Sequence, residues 1–564
     1  MKKSYIALAV LCALALAAGG TYGGYKYGRI VQDQETRAYY AAEAASENEL
    51  VITEKDRTDV ITVYQLCPLV RIEGTDRDKY ISGLKVAKRA ENLGIDYEKI
   101  VRPSQHWKDI YGKIAVTAPA KSEAVFAGTS VSELNAFARE NRGKCILVQS
   151  SELAVDESLQ IPDNTEIRGF HTRLDADGIA NAVDLRRASR VTLSGFEICH
   201  ADNGIYTVGC DHLRVYDMDL HDNLRRGMVI YGGNNISLTD SSLTDNGYGG
   251  LYIVDETSDV LIEGNAISSN NGTGNLHAGI VMTGNVSSSV DDPDADVYAS
   301  VLQDLSGKTA CPHDIVIRSN MIADNRSSGI YNDGSYYIYI VGNRILSNEK
   351  EGICMDFGTI GTFISENEIA ANGFRADQTD EDLRTDFVDG LGRLPDGSSP
   401  AKLPGVSLDN AMWNIIASNS VHDNAGSGVK SVRTAIGNII VNNLITDNNA
   451  GASEDFHFFG IELGAANDGS EEQQRMSVAM DFVANYENII VRNLIYGGHY
   501  SGIYIAPDCF INDMFENSII GCSQYSIECF STLHNASVNN YSRVPSLGIQ
   551  LADPLYVLPV AGSR

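Results

Sequence analysis

A chain of 564 residues is long enough for several ordinary domains or for one elongated repeat. Its 43% hydrophobic content is that of a globular protein, rich in glycine and poor in tryptophan. A formal charge of −30, with no basic stripe, excludes a nucleic-acid backbone as partner and favours hard divalent cations at the surface.

The first element is "MKKSYIALAVLCALALAAGG", in which Lys2 and Lys3 precede an apolar run over residues 5–18. That order reads as an export signal. The stretch between Lys3 and Lys26 carries no charge and is long enough to span a bilayer, so an uncleaved anchor fits residues 1–30 equally well. Cys12 follows a leucine and does not fit a lipoprotein cysteine. Export to a periplasm, cell surface or medium is expected, with membrane contact only through this segment if it is retained. Residues 31–125 form a polar N-terminal appendage of helical and strand-like pieces. "TSVSELNAFARENRGKCILV" then predicts a helix with Ser130 as cap, Glu133 completing a capping box, and Val131, Leu134 and Phe137 on one face. Such a helix suits the open end of a solenoid core.

From about residue 190 to 530 one pattern recurs at 21 to 24 residues: an apolar strand, Asn-x-Ile/Val-x-x-Asn, a polar turn, then glycine and another strand. "IVIRSNMIADNRSSGIYNDG" and "IYIVGNRILSNEKEGICMDFG" are consecutive copies. Two or three short strands per unit, with no room for a helix, predict an all-β, right-handed parallel β-helix over 126–545 with coils of about 22–24 residues. Residues 546–564 are expected to form a C-terminal cap or tail. Asn223, Asn246, Asn270, Asn325, Asn348, Asn372, Asn424 and Asn448 fall in one column, and Asn265, Asn320, Asn343, Asn367, Asn419, Asn443, Asn493 and Asn517 in another. Stacked, these make inward ladders of amides that bond from coil to coil. The cysteines outside the N-terminal segment form neither a CxxC pair nor a zinc spacing, and read as small buried hydrophobes.

These repeats and asparagine columns resemble the pectate-lyase-like right-handed β-helix superfamily, including the repeats of mannuronan C-5 epimerases, over roughly residues 144–545. That fold hosts lyases, epimerases, hydrolases and non-catalytic proteins.

Each glycine-led strand should turn its second and fourth residues after the glycine outward. In early coils these are Tyr206 and Val208, Val229 and Tyr231, Tyr252 and Val254. Later they become Tyr331 and Asp333, Cys354 and Asp356, Ser407 and Asp409, Lys430 and Val432, Glu462 and Gly464, Tyr504 and Ala506. Asp333, Asp356 and Asp409 are therefore expected to form a vertical file of carboxylates, with Lys430 and Glu462 continuing the face and Arg433 and His457 within reach. Like charges so placed repel unless a cation or a shared proton relieves them. Insertions at about 285–312, 373–404 and 464–487 interrupt coils around the same face, where long loops wall a site.

The resemblance implies a polysaccharide lyase or C-5 epimerase acting on a uronate polymer in an axial groove. Asp333, Asp356 and Asp409 would then hold calcium or the substrate carboxyl, Lys430 would be the base, Arg433 would stabilise the enolate, and His457 or Tyr504 would serve as reserve acids. Tyr331, Asp333, Asn410, Glu462 and Tyr504 would bind substrate. "CPHD" at 311–314 is similar to the DPHD-type epimerase motif, with Cys311 in place of its first Asp. "GVKSVR" is loosely similar to the Arg-Ile-Lys of pectin hydrolases, whose Asp-Asp and Gly-His-Gly motifs are missing. A glycoside hydrolase and a non-catalytic glycan-binding surface protein are the alternatives.

Overall fold

The computed structural model describes residues 90–96, 99–100, 102–115, 121–284, 310–356, 358–374, 402–432, 434–449, 457–464, 485–506, 509, 512–531, 535–538, 540–543 and 549–551. The chain divides into two compact units, Met1–Ile52 and Thr53–Arg564, and the first lies wholly outside the described residues. So does the apolar N-terminal segment that reads as signal or anchor. No described helix is long and apolar enough to cross a membrane.

The second unit is a parallel β-solenoid whose coils each contribute one strand to each of three sheets. The first sheet contains the glycine-led strands, among them Ile330–Asp333, Ile353–Asp356, Val406–Asp409, Val429–Val432 and Ile461–Leu463. The second runs from Glu123–Phe126 to Ala536–Val538 and the third from Glu152–Ala154 to Tyr541–Arg543. All pairings between named strands are parallel. Ile330 pairs with Ile353 and Ile415 with Ile439, so one coil advances by 353 − 330 = 23 or 439 − 415 = 24 residues. The first sheet continues through Ile549–Leu551, beyond residue 545.

Inward positions stack like on like. Ile317, Ile340, Ile364, Ile416, Ile440 and Ile490 line the second sheet, and Ile345, Ile369, Val421, Ile445 and Ile495 the third, all at 0–1% exposure. Each such side chain stabilises by roughly 1.5–3 kcal/mol when buried, but a single coil cannot bury its own faces. Stability therefore comes from stacking.

The corners between sheets are where stacking is enforced. Asp324, Ser347, Ala371 and Asp423 all adopt left-handed backbone, near φ +56°, at one corner. The residue after each is the ladder asparagine: Asn325, Asn348, Asn372 or Asn424. In the parallel column, the Asn343 carboxamide oxygen accepts both the backbone N–H and the side-chain N–H of Asn320, at 2.9 Å each. Its own amide donates to Ile317 O at 2.9 Å and to the Asn367 oxygen at 3.0 Å. Every hydrogen-bonding capacity of the buried amide is used. Both predicted ladders are present. A third occurs at the remaining corner, Asn414–Asn438–Asn488–Asn512–Asn535, each linked to the next at 3.0 Å.

The glycine column has its own cause. A β-carbon on Gly329 would lie 2.7 Å from Gly352 O and 2.8 Å from the Asn348 amide, so the neighbouring backbone and the ladder leave no room for a side chain.

Among the described residues, two complete helices flank the solenoid. Helix α1, Pro103–Ile114, lies in the N-terminal appendage and packs Ile110 and Ile114 against Leu261, Val316 and Tyr339 on the outer face of the second sheet. His106 Nε2 meets Asp314 Oδ1 at 2.7 Å, and Arg214 Nη2 donates to the C-terminal carbonyl of Ile114 at 2.9 Å. Helix α2, Val131–Glu140, is the predicted cap: Val131, Leu134 and Ala138 join the main core, while Phe137 packs at its margin against Phe126. Ser130 Oγ accepts from Glu133 N as expected, but the Glu133 carboxylate takes the N–H of Thr129, one residue earlier than a standard box. The eight described cysteines are all buried and free of disulfides.

Replacing Asn343 by alanine should strand the Asn320 donors and the Ile317 carbonyl together. The expected loss is on the order of 3 kcal/mol in urea unfolding, with hydrogen exchange rising in the coils on either side. Asn271, which is exposed, should tolerate the same change within about 0.5 kcal/mol.

Candidate functional site

The outer face of the first sheet carries most of the candidate residues. Its middle column runs Tyr252, Val281, Tyr331, Cys354, Ser407, Lys430, Glu462 and Tyr504 in unbroken register. Two residues further along each strand, Thr283, Asp333 and Asp356 pair in succession, and Asp409 occupies the same place on the next coil. The predicted file of carboxylates is therefore real, one interstrand distance per step. It is also buried: Asp333 is 0%, Asp356 5% and Asp409 6% exposed.

The carboxylates are individually engaged. Asp333 Oδ2 accepts the Thr283 hydroxyl at 2.8 Å, and Asp356 Oδ2 accepts the Tyr331 phenol at 3.1 Å. Burial, followed by the charges of Asp356 and Asp333, pushes the Tyr331 phenol well above its usual range. Tyr331 is thus held as a neutral donor. Among the described residues, groups of three or more potential metal ligands converge only on the third sheet, and the Asp333–Asp356–Asp409 file is not one of them. The acids form a row, one to a coil, rather than the convergent oxygen cage that calcium takes.

The opposite margin of the sheet is basic, and sequence reading missed it. Arg226, one residue before its glycine, is 4% exposed and lies 4.0 Å over the Tyr252 ring. His277 and Lys350 each sit two residues before theirs. His277 stacks on Tyr248 with ring centres 4.5 Å apart. Burial, then Arg226, then Lys350 lower its pKa to about 4, so the imidazole is neutral at ordinary pH. Burial raises the Tyr252 phenol, Arg226 opposes that, and Asp333 adds to it, which places Tyr252 between the basic and acidic margins.

Further along the axis, Lys430 Nζ contacts Glu462 Oε1 at 2.9 Å, and Ser427 Oγ donates to the other Glu462 oxygen at 2.6 Å. Beyond them lies an aromatic group: Tyr504 stacks on Phe459 at 4.5 Å, and exposed His457 stacks on Tyr500 at 4.0 Å. Asn410 occupies a left-handed corner at 1% exposure beside Asp409. Arg433 lies outside the described residues. His313 is elsewhere, at the start of a second-sheet strand under α1, bonded to Asp314 at 2.7 Å and stacked on Tyr336.

The insertions leave and rejoin the coils at both margins. One connects Gly284 to Ala310 and another Gly464 to Asn485, each departing from the acidic side. A third connects Phe374 to Lys402 on the basic side, its ends joined by an antiparallel bridge. Most of their residues lie outside the described set.

The family model described as "Right handed beta helix region" matches residues 181–306 and 313–463. No curated protein matches the chain. Among solved structures, the A-module of the Azotobacter vinelandii mannuronan C-5 epimerase AlgE4 is 12% identical, with 79% of this chain and 98% of that one covered and a TM-score of 0.34. The periplasmic alginate epimerase AlgG is 13% identical over 76% of this chain and 84% of its own, with a TM-score of 0.39. PfbA, a surface adhesin of Streptococcus pneumoniae, is 12% identical over 73% and 86%, with a TM-score of 0.36.

His277 should titrate far below free histidine. Its depressed pKa means that the fold favours the neutral ring; this stability is present above about pH 6.5 and is lost as the pH falls through about 4. NMR titration of labelled histidines checks this. Arg226→Gln should move the His277 midpoint upward, since the guanidinium helps to hold it down.

Proposed function

Since residues 181–306 and 313–463 match the right handed beta helix region, we propose that this chain is an exported protein that binds a uronate-containing polysaccharide along its axis and removes the C-5 proton of one sugar, as a lyase or epimerase. One observation carries the reading: a basic margin of buried Arg226 and Lys350 and half-buried His277 opposes a buried acidic file of Asp333 and Asp356, with Tyr252 and Tyr331 between them.

That arrangement matches what the reaction needs. A C-5 proton is weakly acidic until the adjacent carboxylate is neutralised, and the base must be unprotonated and close by. Arg226 and Lys350 supply the positive charge for the carboxylate. His277, kept neutral by burial and by those same cations, accepts the proton at Nδ1, in exchange for the Gly274 N–H that this nitrogen accepts at 3.2 Å. The phenol of Tyr331, bonded to Asp356, is assigned the return of a proton to C-5 for epimerisation or its donation to the departing glycosidic oxygen for elimination. Lys430, paired with Glu462, is assigned to gripping the polymer further along the groove, with Tyr504 and Phe459 offering a face for a sugar ring. Asp333 and Asp409 border the same path.

A hydrolase is the second reading. Asp333 and Asp356 are one interstrand distance apart, near the carboxyl separation of about 5 Å used in retention.

The full chain should be incubated with polymannuronate, polygalacturonate and a neutral glucan, with and without calcium. Solvent-proton exchange at C-5 or a new C4–C5 double bond is expected on a uronate polymer. His277→Gln and Tyr331→Phe should each slow it by about 10²–10⁴-fold, while Lys430→Ala should mainly raise KM. New reducing ends without unsaturation would make the protein a hydrolase. Binding without any of the three products would make it a glycan receptor.

A further inference from the structure

A second cluster of reactive side chains lies on the third sheet, in coils preceding the groove. Asp175, Cys199 and His221 are stacked on successive coils, since Asp175 pairs with Cys199 and Cys199 with His221. Glu197 stands two residues before Cys199 on the same strand, and His200 follows Cys199 at the corner. The ligand atoms of Asp175, Cys199 and His200 all lie within 4.8 Å of one another, as do those of Glu197, Cys199 and His221. Cys199 is common to both sets.

We infer that this cluster is a binding site for a borderline-soft divalent ion of the Zn²⁺ class, with the Cys199 thiolate as its central ligand. His221 and Glu197 would complete it on one side, and Asp175 and His200 on the other. One thiolate, imidazoles and carboxylates are the donors such an ion selects, whereas calcium would take oxygen alone.

Two features go beyond mere proximity. First, His221 is already oriented: its Nδ1 bonds the Asp222 carboxylate at 2.8 Å, which leaves Nε2 directed at Glu197, 3.4 Å away. A carboxylate behind an imidazole is the usual way of fixing a metal-binding tautomer. Second, the position is one that attracts a cation. The Arg173 guanidinium reaches Asp175 at 3.1 Å, Glu197 at 3.5 Å and the Cys199 sulfur at 3.7 Å. Its side chain is 41% exposed, so it can swing out into solvent when a dication takes its place.

Co²⁺ added to the tag-free full chain provides the test. One equivalent should produce a thiolate-to-cobalt charge-transfer band together with tetrahedral d–d bands, and Zn²⁺ should displace both. Cys199→Ser should abolish the charge-transfer band, and Asp222→Asn should weaken binding by about 10–100-fold. Arg173→Ala should tighten it, because the competing cation is gone. Circular dichroism of each variant separates loss of binding from loss of folding. Absence of the band from the folded parent, or its survival in folded Cys199→Ser, would overturn the assignment. So would an affinity that Arg173→Ala leaves unchanged or weakens.

Discussion

A carboxamide sealed in an apolar core has two donors and an acceptor to satisfy, and here only the neighbouring coils can satisfy them. This requirement fixes the architecture. Each ladder asparagine ties three coils together: it accepts from the one before, donates to the one after, and donates again to a preceding carbonyl. Among the described residues, the left-handed residue before a ladder asparagine, where it is not glycine, is a conformation worth avoiding by about 1–2 kcal/mol in isolation, and it persists because the ladder holds it. Register, corner geometry and the glycine column all follow, since a coil displaced by one residue would break the three ladders together and turn its aliphatic side chains outward.

A scaffold set so firmly can carry charge where charge is costly. Asp333 and Asp356 lie at 0–5% exposure one strand apart, an arrangement a freely repacking surface would relax by moving them apart. The strands cannot move, so the adjustment falls to side chains: Thr283 and Tyr331 donate to the two carboxylates. Arg226, held over Tyr252 of the next coil, lies within electrostatic range of His277 one coil further on.

Much of this was legible in the chain, for a definable reason. Wherever a residue's role repeats with the coil, its column appears as a periodicity. The two asparagine columns, the glycine column and the file Asp333–Asp356–Asp409 were all found that way. The third asparagine column escaped because it begins only at Asn414, with Thr362 in the coil before, so fewer copies announce it. Arg226, His277 and Lys350 escaped for another reason: each is a single occurrence in the short turn before a glycine, where pattern reading sees only a connector. Their importance depends on which turns become neighbours, which is a fact of stacking and not of spacing. The same holds for Cys199 and His221, which no metal-binding motif links in the sequence.

The ladders also do not end together. At the corner after the third sheet the asparagine column stops at Asn448, whose amide meets His499 Nε2 at 3.3 Å. The next coil offers only Cys522 at that place, while the other two columns run on to Asn535 and Asn540. His499 is fully buried, and burial lowers its pKa to about 3, so it enters the column as a neutral acceptor with one ring nitrogen unsatisfied among the described residues. A solenoid melts from whichever end is less well fastened. This one is therefore built like a zipper with a loose tab: its last coils can open and reclose while the coils that carry the groove stay clamped from both sides.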